Sequence, residues 1–449
     1  MMFVALAMLA PIWIALIPSV LHANTITVNT TGDPGPSGTC DLRDAITNAN
    51  NEDQSGSTNC VAGSGTDTIV FSVSGTITLD SGGTLPAIQN ALTIDGRGKA
   101  ITVSGASLYG VLVVDVDATL NLYNLTISDG DSMYQGAIFN NGTLTVTNST
   151  FSDNAGGDGG AINNEDMLTV TNSTFYENSA TDQGGAIFSE GMLTVTNSTF
   201  YDNSAPTGLY DQGGGIFNAA TATVANSILA DSTGGNCIGD TITDGGYNIS
   251  DDDTCGFTGT GANGKPIGDN VSDAHIKLGS LTNNGGPTET IALGTGSYAI
   301  DAIPIALCPA TDQRGAPRPD PGSPLETACD IGAFESGYAD NVWISPPTIN
   351  FGTVALGETS APITVTITNG SGKTLELIEW SLGPDFKIAS TTCPEPPSYL
   401  PADESCSITI VFHPLSLGSK NELLQVHNSS LANPLTVHLR GTASRSGPC

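Results

Sequence analysis

The sequence predicts an all-β protein in which a coil of stacked parallel strands is followed by a β-sandwich. Two observations support this: short segments recur along the middle of the chain, and evenly spaced strands of a different pattern begin near Val342. Gly, Asn, Thr and Ser are abundant, and no long stretch has the period of an amphipathic helix. The predicted divisions are a secretory signal (1–23), the coil with an N-terminal cap (24–336), a linker (337–342), the sandwich (343–443) and a tail (444–449).

A repeated segment defines the regular rungs of the coil, which we place at residues 120–231. Its copies read LNLYNLTISDG, LTVTNSTFSDN, LTVTNSTFYEN, LTVTNSTFYDN and ATVANSILADS, beginning at residues 120, 144, 168, 193 and 222. A glycine-rich motif separates them at 136–139, 159–163, 184–188 and 213–217. A period of about 25 residues without a helical pattern is typical of a parallel β-helix, whose rungs are stable only when stacked. Weaker apolar strands between Ile69 and Val114 predict earlier, irregular rungs or a cap.

Alternation within a rung separates an inner face from an outer face. Leu144 and Val146 alternate with Thr145 and Thr147, which predicts one buried and one solvent-facing side. Two inner columns are expected. One is a stack of aromatic rings from Phe151, Phe175 and Phe200. The other is a ladder of turn asparagines whose side-chain amides hydrogen-bond along the stack, formed by Asn124, Asn148, Asn172, Asn197 and Asn226.

Three of these asparagines also begin N-glycosylation sequons: Asn148, Asn172 and Asn197. An inward-facing ladder has no room for a glycan, so the structural role is favoured over glycosylation.

The N-terminus and the cysteines predict an exported protein. Residues 1–23 are apolar and end in a small residue, as before a signal cleavage site, although no Lys or Arg precedes the apolar run. An uncleaved anchor helix is the alternative, which Pro11 and Pro18 disfavour. Eight of the nine cysteines form pairs close in sequence: Cys40/Cys60, Cys237/Cys255, Cys308/Cys329 and Cys393/Cys406. Each bridge would stabilise the fold by roughly 3 kcal/mol. Cys449 remains, either free or available for a disulfide partner.

The charge balance excludes several partners. With 45 acidic and 12 basic residues, the formal net charge is -33. Nucleic acids and anionic lipid surfaces both require clustered Lys and Arg, so neither is an expected partner, and we expect no membrane insertion of the mature chain. Such a surface suits solubility or the capture of Ca²⁺ and cationic molecules.

Several motifs resemble those of known β-helix surface proteins. Gly-Gly-Ala-Ile and Phe-x-x-Asn, once per rung, resemble the repeats of chlamydial polymorphic outer-membrane proteins. The segment Cys40–Ile46 (CDLRDAI) resembles the CSLREA motif of bacterial surface proteins. Asp312–Arg318 (DQRGAPR) and Cys329–Glu335 (CDIGAFE) resemble the "choice-of-anchor Q" ending of such proteins. The resemblances span residues 25–336 and imply a right-handed, pectin-lyase-like parallel β-helix at a bacterial cell surface.

The C-terminal module has about seven short strands at regular spacing, among them Ile363–Thr368, Ser407–Phe412 and Leu435–Arg440. Phe351–Val354 (FGTV) and Leu439–Ala443 (LRGTA) resemble Hydin-type ("choice-of-anchor D") immunoglobulin-like domains. That resemblance implies a role in interaction or spacing.

An enzyme is the main alternative, because many β-helices cleave polysaccharides. Lyase chemistry needs a basic residue beside Ca²⁺, yet no Lys or Arg occurs between Lys99 and Lys265. Hydrolysis needs paired carboxylates, usually with His or Arg nearby. His275 lies outside the regular rungs and is expected to be a surface or capping residue, and Asp251–Asp253 a solvated turn. The sequence therefore favours a protein without catalytic residues.

One outer column is a candidate binding site. Aligning the rungs brings acidic side chains to one edge at intervals of about 4.8 Å: Asp129, Asp153, Glu177, Asp202 and Asp231. Like charges at that spacing repel unless they are solvated or bridged by a cation such as Ca²⁺, so a solvated ridge and a Ca²⁺-bridged edge are both open. Tyr176 and Tyr201 could offer flat faces to a sugar.

A second outer pattern consists of two threonine columns, Thr145/Thr169/Thr194 and Thr147/Thr171/Thr196. Similar arrays bind ice, but the patch is small, and β-propensity on a solvent face explains it as well. We therefore expect a non-catalytic, adhesin-like extracellular or cell-surface protein that needs no cofactor and presents a binding face to a protein or a glycan. The alternatives are a polysaccharide lyase or hydrolase, a structural spacer and an ice-binding protein.

Overall fold

The computed structural model describes residues 23–80, 82–133, 136–207, 212–319, 327–337, 342–371, 374–402, 404–430 and 434–445. Apart from Ala23, the predicted signal lies outside the described residues, as do Cys449 and residues 338–341 of the predicted linker. Within the described part of the chain, no helix is long and apolar enough to span a membrane.

The N-terminal part of the chain is a parallel β-helix whose successive turns stack strand on strand in three main sheets. Sheet A has nine strands: Thr25–Val28, Asp67–Phe71, Ala91–Asp95, Thr119–Tyr123, Thr143–Thr147, Met167–Thr171, Met192–Thr196, Thr221–Ala225 and Ile242–Asp244. Sheet B has ten: Gly75–Thr78, Ile101–Ser104, Thr126–Ser128, Thr150–Ser152, Thr174–Tyr176, Thr199–Tyr201, Ile228–Ala230, Ile249–Ser250, Pro266–Gly268 and Thr258–Thr260. The fold class predicted from the repeat is confirmed.

Sheet C has six strands: Leu112–Val114, Ile138–Asn140, Ile162–Asn164, Ile187–Ser189, Ile216–Asn218 and Cys237–Gly239. A narrow fourth sheet joins Asp131–Ser132, Ala155–Gly156 and Ser179–Ala180. The weaker strands between Ile69 and Val114 belong to these same sheets, so they are irregular rungs. Helix α1 (Leu42–Asn51) is capped at its N-terminus by Asp41, whose carboxylate accepts the Asp44 N–H, and the apolar side of the helix joins the core of the first rungs.

The interior of the β-helix is built from columns of identical side chains, because parallel strands in register place equivalent residues above one another. Phe151, Phe175 and Phe200 are fully buried, and their ring centroids are 4.8 and 4.5 Å apart in nearly parallel planes. Leu144 and Val146 of sheet A point inward beside them. The predicted aromatic stack is therefore present in the structure.

The predicted asparagine ladder occupies a different column from the one expected. The five predicted residues, Asn124, Asn148, Asn172, Asn197 and Asn226, all have left-handed backbones, with φ between 47° and 56°. They form the corner between sheets A and B, and the Oδ1 atoms of Asn148, Asn172 and Asn197 are buried without a hydrogen-bond partner. Because these oxygens accept no hydrogen bond, the amides of these residues do not form a ladder along the stack, and the ladder prediction for them is wrong.

The actual ladder uses the asparagine of each Phe-x-x-Asn motif. Asn154 Nδ2 donates to Asn178 Oδ1 at 2.8 Å, and Asn178 Nδ2 donates to Asn203 Oδ1 at 2.9 Å. Each amide also donates to a backbone carbonyl of the rung on its other side, such as that of Phe151. All three side chains are fully buried, so these hydrogen bonds satisfy polar groups that water cannot reach.

The closing strap is the name that we give to residues 284–319 and 327–336, which contact the corner between sheets A and B. Gln313 is buried there. Its Nε2 donates to Thr150 Oγ1, while its Oε1 accepts from Thr174 Oγ1. Further along, the Ala333 N–H donates to Thr199 Oγ1. The strap also reaches the sequon asparagines, since Asn172 Nδ2 donates to the Thr311 carbonyl.

Two fully buried arginines fix the shape of the closing strap. Arg314 pairs with Asp312 at 2.7 Å, and Arg318 pairs with Glu335 at 3.4 Å while donating to two strap carbonyls. The DQRGAPR and CDIGAFE motifs therefore hold the strap to itself and to the rungs. Before it lie helix α2 (Asp273–Ile276) and strand Leu278–Thr282, which pairs with Thr290–Leu293. Within it, Ile303–Pro304 pairs with Ala328–Cys329, and a 3₁₀ turn covers Ile305–Leu307.

The C-terminal part is a sandwich of two sheets with its own apolar core. One sheet has the strand order Val342–Ser345, Ile363–Asn369, Ser405–Phe412 and Phe386–Thr391. The other has the order Thr348–Ala355, Leu435–Ser444, Gly418–Asn428, Leu375–Leu382 and Ser398–Leu400.

All four disulfides proposed from sequence spacing are present in the structure. Each joins two cysteines of the same apolar core, so the bridges fasten loops locally and do not link the β-helix to the sandwich. The prediction of four sequence-local pairs is confirmed. The bonded pairs are Cys40 with Cys60, Cys237 with Cys255, Cys308 with Cys329, and Cys393 with Cys406.

Candidate functional site: an acidic edge of the β-helix

The five aligned acids form one continuous edge, which we name the acidic edge. Each follows a strand of sheet B and has a left-handed backbone, with φ between 48° and 58°. Asp and Asn tolerate this conformation better than other side chains, which explains their recurrence at the turn. Glu177 is the exception in side-chain length but adopts the same turn, with φ 51°. The aligned acids are Asp129, Asp153, Glu177, Asp202 and Asp231.

Hydroxyl groups accompany the acids along this edge. Ser128 and Ser104 both donate to Asp129 Oδ2, at 2.8 and 3.1 Å. A hydrogen bond to Glu177 is the largest cause of the raised pKa of the Tyr176 hydroxyl. Burial, and then the charge of Asp231, raises the pKa of Tyr201 to about 12. These hydroxyl groups partly stabilise the carboxylates, so the edge is a polar surface with its own hydrogen bonds.

Repulsion between neighbouring acids remains in spite of these hydrogen bonds. The pKa of Asp153 is raised, first by burial and then by the charge of Glu177. The pKa of Asp202 is raised by burial and by the charges of Glu177 and Asp231. A cation on this edge would relieve that repulsion.

Tyr176 and Tyr201 are register partners on sheet B, one residue before the acids Glu177 and Asp202. Their ring centroids are 6.0 Å apart with an interplanar angle of 28°, and both side chains are half-buried. The structure therefore brings the two predicted tyrosines together beside the acidic edge.

At one end of the edge, three carboxylates converge. Asp231, Asp251 and Asp273 each offer an oxygen, and these oxygens lie within 4.8 Å of one another. Oδ2 of Asp251 also accepts the Asp231 N–H at 2.9 Å, in the place where the next rung would provide a carbonyl. Three carboxylates at this separation match the hard oxygen ligands that Ca²⁺ prefers.

Burial is the first cause of the raised pKa values of Asp251 and Asp273, and the charge of Asp231 adds to both. Sequence reasoning treated the Asp251–Asp253 run as a solvated turn and missed Asp273 entirely. Asp252 does have a turn role, since its carboxylate accepts from the Ser250 and Thr254 hydroxyls, and Asp253 is exposed. One signal in the sequence could have pointed to Asp273. It directly follows a serine, as an acidic residue in the first turn of a short helix often does.

The other predicted outer features are also in place. The two threonine columns lie half-buried on the outer side of sheet A, and the Thr171 and Thr196 hydroxyls are 3.2 Å apart. His275 is exposed on helix α2, stacks on Tyr298 at 4.3 Å and contacts the Ser272 hydroxyl. It is thus engaged with surface groups of its own segment.

The disulfide cysteines have a structural role and no place among the ligand-binding candidates. Cys40 and Cys60 are buried in the core of the first rungs, where their bridge fastens the loop that contains helix α1. Cys393 and Cys406 are buried in the core of the sandwich, outside the β-helix that carries the acidic edge. Because their sulfurs are bonded to each other, these cysteines offer no thiolate for a metal or a nucleophile.

Comparisons with known proteins agree with this architecture. Residues 45–258 match the family model described as right handed beta helix region. Residues 341–434 match the model described as "Abnormal spindle-like microcephaly-assoc'd, ASPM-SPD-2-Hydin", abbreviated ASH. The expectation of a Hydin-type immunoglobulin-like module is confirmed, whereas the finer surface-protein subtypes stay predictions. No curated protein matches the chain.

Among solved structures, the ASH/PapD-like domain 7 of human CEP192 is 16% identical, covering 26% of this chain and 94% of that one, with a TM-score of 0.20. The secreted serine protease VesC from Vibrio cholerae is 17% identical over 22% of each chain, with a TM-score of 0.18. The Vibrio cholerae VesB protease is 15% identical, covering 35% of this chain and 45% of that one, with a TM-score of 0.20. The chain thus spans less than half the length of these two proteases. The protein joins a right-handed β-helix to an ASH-type immunoglobulin-like domain.

Proposed function

We propose that this protein is a non-catalytic, adhesin-like binding protein of the cell surface or extracellular space, whose ligand occupies the acidic edge. The observation that carries the proposal is the convergence of Asp231, Asp251 and Asp273 beside the stacked Tyr176 and Tyr201. Aromatic faces next to carboxylates suit a sugar, which stacks on the rings and donates hydroxyl groups to the acids. The four disulfides support an oxidising, extracellular setting.

Calcium is the cation that fits this site best. All three candidate ligands are carboxylates, and Asp251 is already oriented by hydrogen bonds from the Asp231 N–H and from Asn236. A bound Ca²⁺ would neutralise this end of the edge and could itself coordinate sugar hydroxyls or a partner's carboxylate. The rest of the edge then acts as the ridge along which the ligand lies.

The test is a glycan array and a panel of extracellular matrix proteins, probed with the full chain with and without Ca²⁺. We expect binding that the double variant Tyr176→Ala/Tyr201→Ala loses. The matched control is Tyr399→Ala, which removes an exposed tyrosine of the sandwich and should bind normally. No binding to either panel, or equal loss with the control, contradicts the proposal.

Release of reducing sugar or unsaturated uronate from any polymer on that array would favour the alternative of a polysaccharide-active enzyme. The regular rungs lack the basic residue that lyase chemistry needs, since no Lys or Arg occurs between Lys99 and Lys265. Arg314 and Arg318 are buried in ion pairs of the closing strap.

A further inference from the structure

A lysine and two carboxylates meet between the two sheets of the sandwich. Lys420 belongs to strand Gly418–Asn428 of the five-stranded sheet, and Asp385 immediately precedes strand Phe386–Thr391 of the four-stranded sheet. The Lys420 Nζ lies 3.1 Å from Asp385 Oδ2, and the two side chains are only 14% and 7% exposed. Glu422, two residues after Lys420, accepts the Asp385 N–H at 3.3 Å. Its side chain also shares a hydrogen bond with the Asp385 carboxylate.

A hydrogen bond between two carboxyl groups requires one proton, and the surroundings place it on Glu422. Burial, and then contact with Asp385, raises the pKa of Glu422. Burial acts to raise the pKa of Asp385 as well, but hydrogen bonds from the Leu415 N–H, Lys420 and Glu422 lower it overall. Asp385 is therefore the charged acceptor, and Glu422 is a protonated neighbour within reach of both reacting groups.

We propose that Lys420 and Asp385 condense to an intramolecular isopeptide bond, with Glu422 transferring the protons. The Glu422 proton passes to the Asp385 carboxylate, and the Lys420 ammonium then returns one proton to Glu422. The free Nζ attacks Asp385 Cγ, so the Nζ–Cγ bond forms and the Cγ–Oδ2 bond breaks. Oδ2 takes up a proton from Glu422 and leaves as water. Glu422 then regains a proton from the amine nitrogen. Ammonium and carboxylate become an amide and one water, with no oxidant or reductant.

The position of the three groups favours this reaction. They are held by elements of the two sheets of one sandwich, so the reacting atoms meet without the entropy loss of a bimolecular encounter. Phe386, the residue that follows Asp385, belongs to a cluster of three phenylalanines, and its ring lies 4.9 Å from that of Phe412 and 5.5 Å from that of Phe351. Apolar rings lower the cost of neutralising the ion pair and limit the water available to hydrolyse the product. The bond would tie the two sheets of the sandwich together covalently.

Intact-mass spectrometry of the purified full chain tests the proposal. The expected mass is one water below that calculated for the chain with its disulfides. After reduction and trypsin digestion, the fragment ending at Lys387 should remain joined to the fragment that contains an uncleaved Lys420. A chain at the full calculated mass, or a water loss that maps to another segment, overturns the proposal.

Variants separate the roles of the three residues. Lys420→Arg retains the positive charge but lacks the nucleophile, and Glu422→Gln retains the hydrogen-bonding shape but lacks the transferable proton. Each should have the full calculated mass of its own sequence. Lys387→Arg, on the strand that follows Asp385, is the matched control and should still lose water. Circular dichroism confirms folding, and a cross-linked Glu422→Gln protein would show that Glu422 has no part in the proton transfer.

Discussion

At the scale of single residues, the position of an asparagine within the rung decides its role. Two asparagine columns repeat with the same period, one at the corner between sheets A and B and one inside the coil. The corner residues have left-handed backbones, whereas Asn154, Asn178 and Asn203 bond to one another in the interior. The sequence has asparagine at both positions of the repeat, but only the corner residues were predicted to form a ladder, because which amides bond to each other depends on backbone dihedrals.

Replacing an interior asparagine should therefore cost more than replacing a corner one. Asn178→Ala leaves the Asn154 amide and the Asn203 carbonyl oxygen without this partner, so we expect a loss of about 3 kcal/mol in the free energy of unfolding. Asn148→Gly is the control, because glycine accepts the left-handed backbone and the Asn148 Oδ1 has no partner to lose. Urea unfolding measures both variants. Equal losses would show that the interior ladder contributes no special stability.

Glu177 raises the pKa values of both Asp153 and Asp202, so its removal should relieve the repulsion along the acidic edge. A carboxyl with a higher pKa in the folded chain destabilises the fold while it is ionised. That penalty is full above the folded pKa and disappears below the unfolded pKa. We therefore expect Glu177→Gln to raise the melting temperature at neutral pH, with a smaller difference at a pH of about 4. A lower melting temperature of the variant at neutral pH contradicts this account.

At the scale of elements, the acidic edge was predictable as a column, but its junction with Asp251 and Asp273 was not. The column follows from aligning rungs, whereas Asp273 belongs to a four-residue helix outside the repeat. The closing strap shows the same limit. Its DQRGAPR motif was recognisable, yet its contacts join residues 140 positions apart along the chain, as between Thr288 and Asn148. Such contacts leave no periodic signal in a single sequence.

Calcium should stabilise the end of the edge where the three carboxylates converge. If Ca²⁺ is present at about ten times its dissociation constant, the folded state gains about 1.4 kcal/mol. We expect millimolar Ca²⁺ to raise the melting temperature of the wild type but not of Asp273→Asn. Asp182→Asn, an exposed acid away from the three, is the control and should respond like the wild type. An unchanged wild-type melting temperature rules out the calcium site.

The closing strap should detach locally when its central contact is removed. Gln313 is fully buried and bonds to Thr150, Thr174 and Thr288, so Gln313→Ala leaves three hydroxyls without this partner. Each unsatisfied group costs about 1–3 kcal/mol, which exceeds what a surface segment can lose without opening. Hydrogen–deuterium exchange should become faster in residues 284–319 while the rungs stay protected. Uniformly faster exchange would instead show that the strap and the rungs unfold together.

At the scale of the whole molecule, a tryptophan of the sandwich packs against the closing strap of the β-helix. Trp343, in the first strand of the sandwich, is 2% exposed, and its ring lies 5.1 Å from Arg314 Cζ in the closing strap. Gly285 of the strap approaches so closely that a Cβ there would lie 2.5 Å from the indole. The strap therefore closes the corner of the coil and also carries the next domain.

Trp343→Ala should separate the two domains, because it removes the aromatic surface buried at the joint. Truncating a buried tryptophan costs roughly 3–5 kcal/mol, which is large for a contact between domains. We expect small-angle scattering to show a larger radius of gyration, and calorimetry to resolve two transitions. Trp380→Ala is the matched control: Trp380 packs against the sandwich core, so its loss should weaken that domain without releasing it. A Trp343→Ala protein with the wild-type scattering profile would show that other contacts hold the domains together. The position of the sandwich would then depend on the strap backbone and not on the indole.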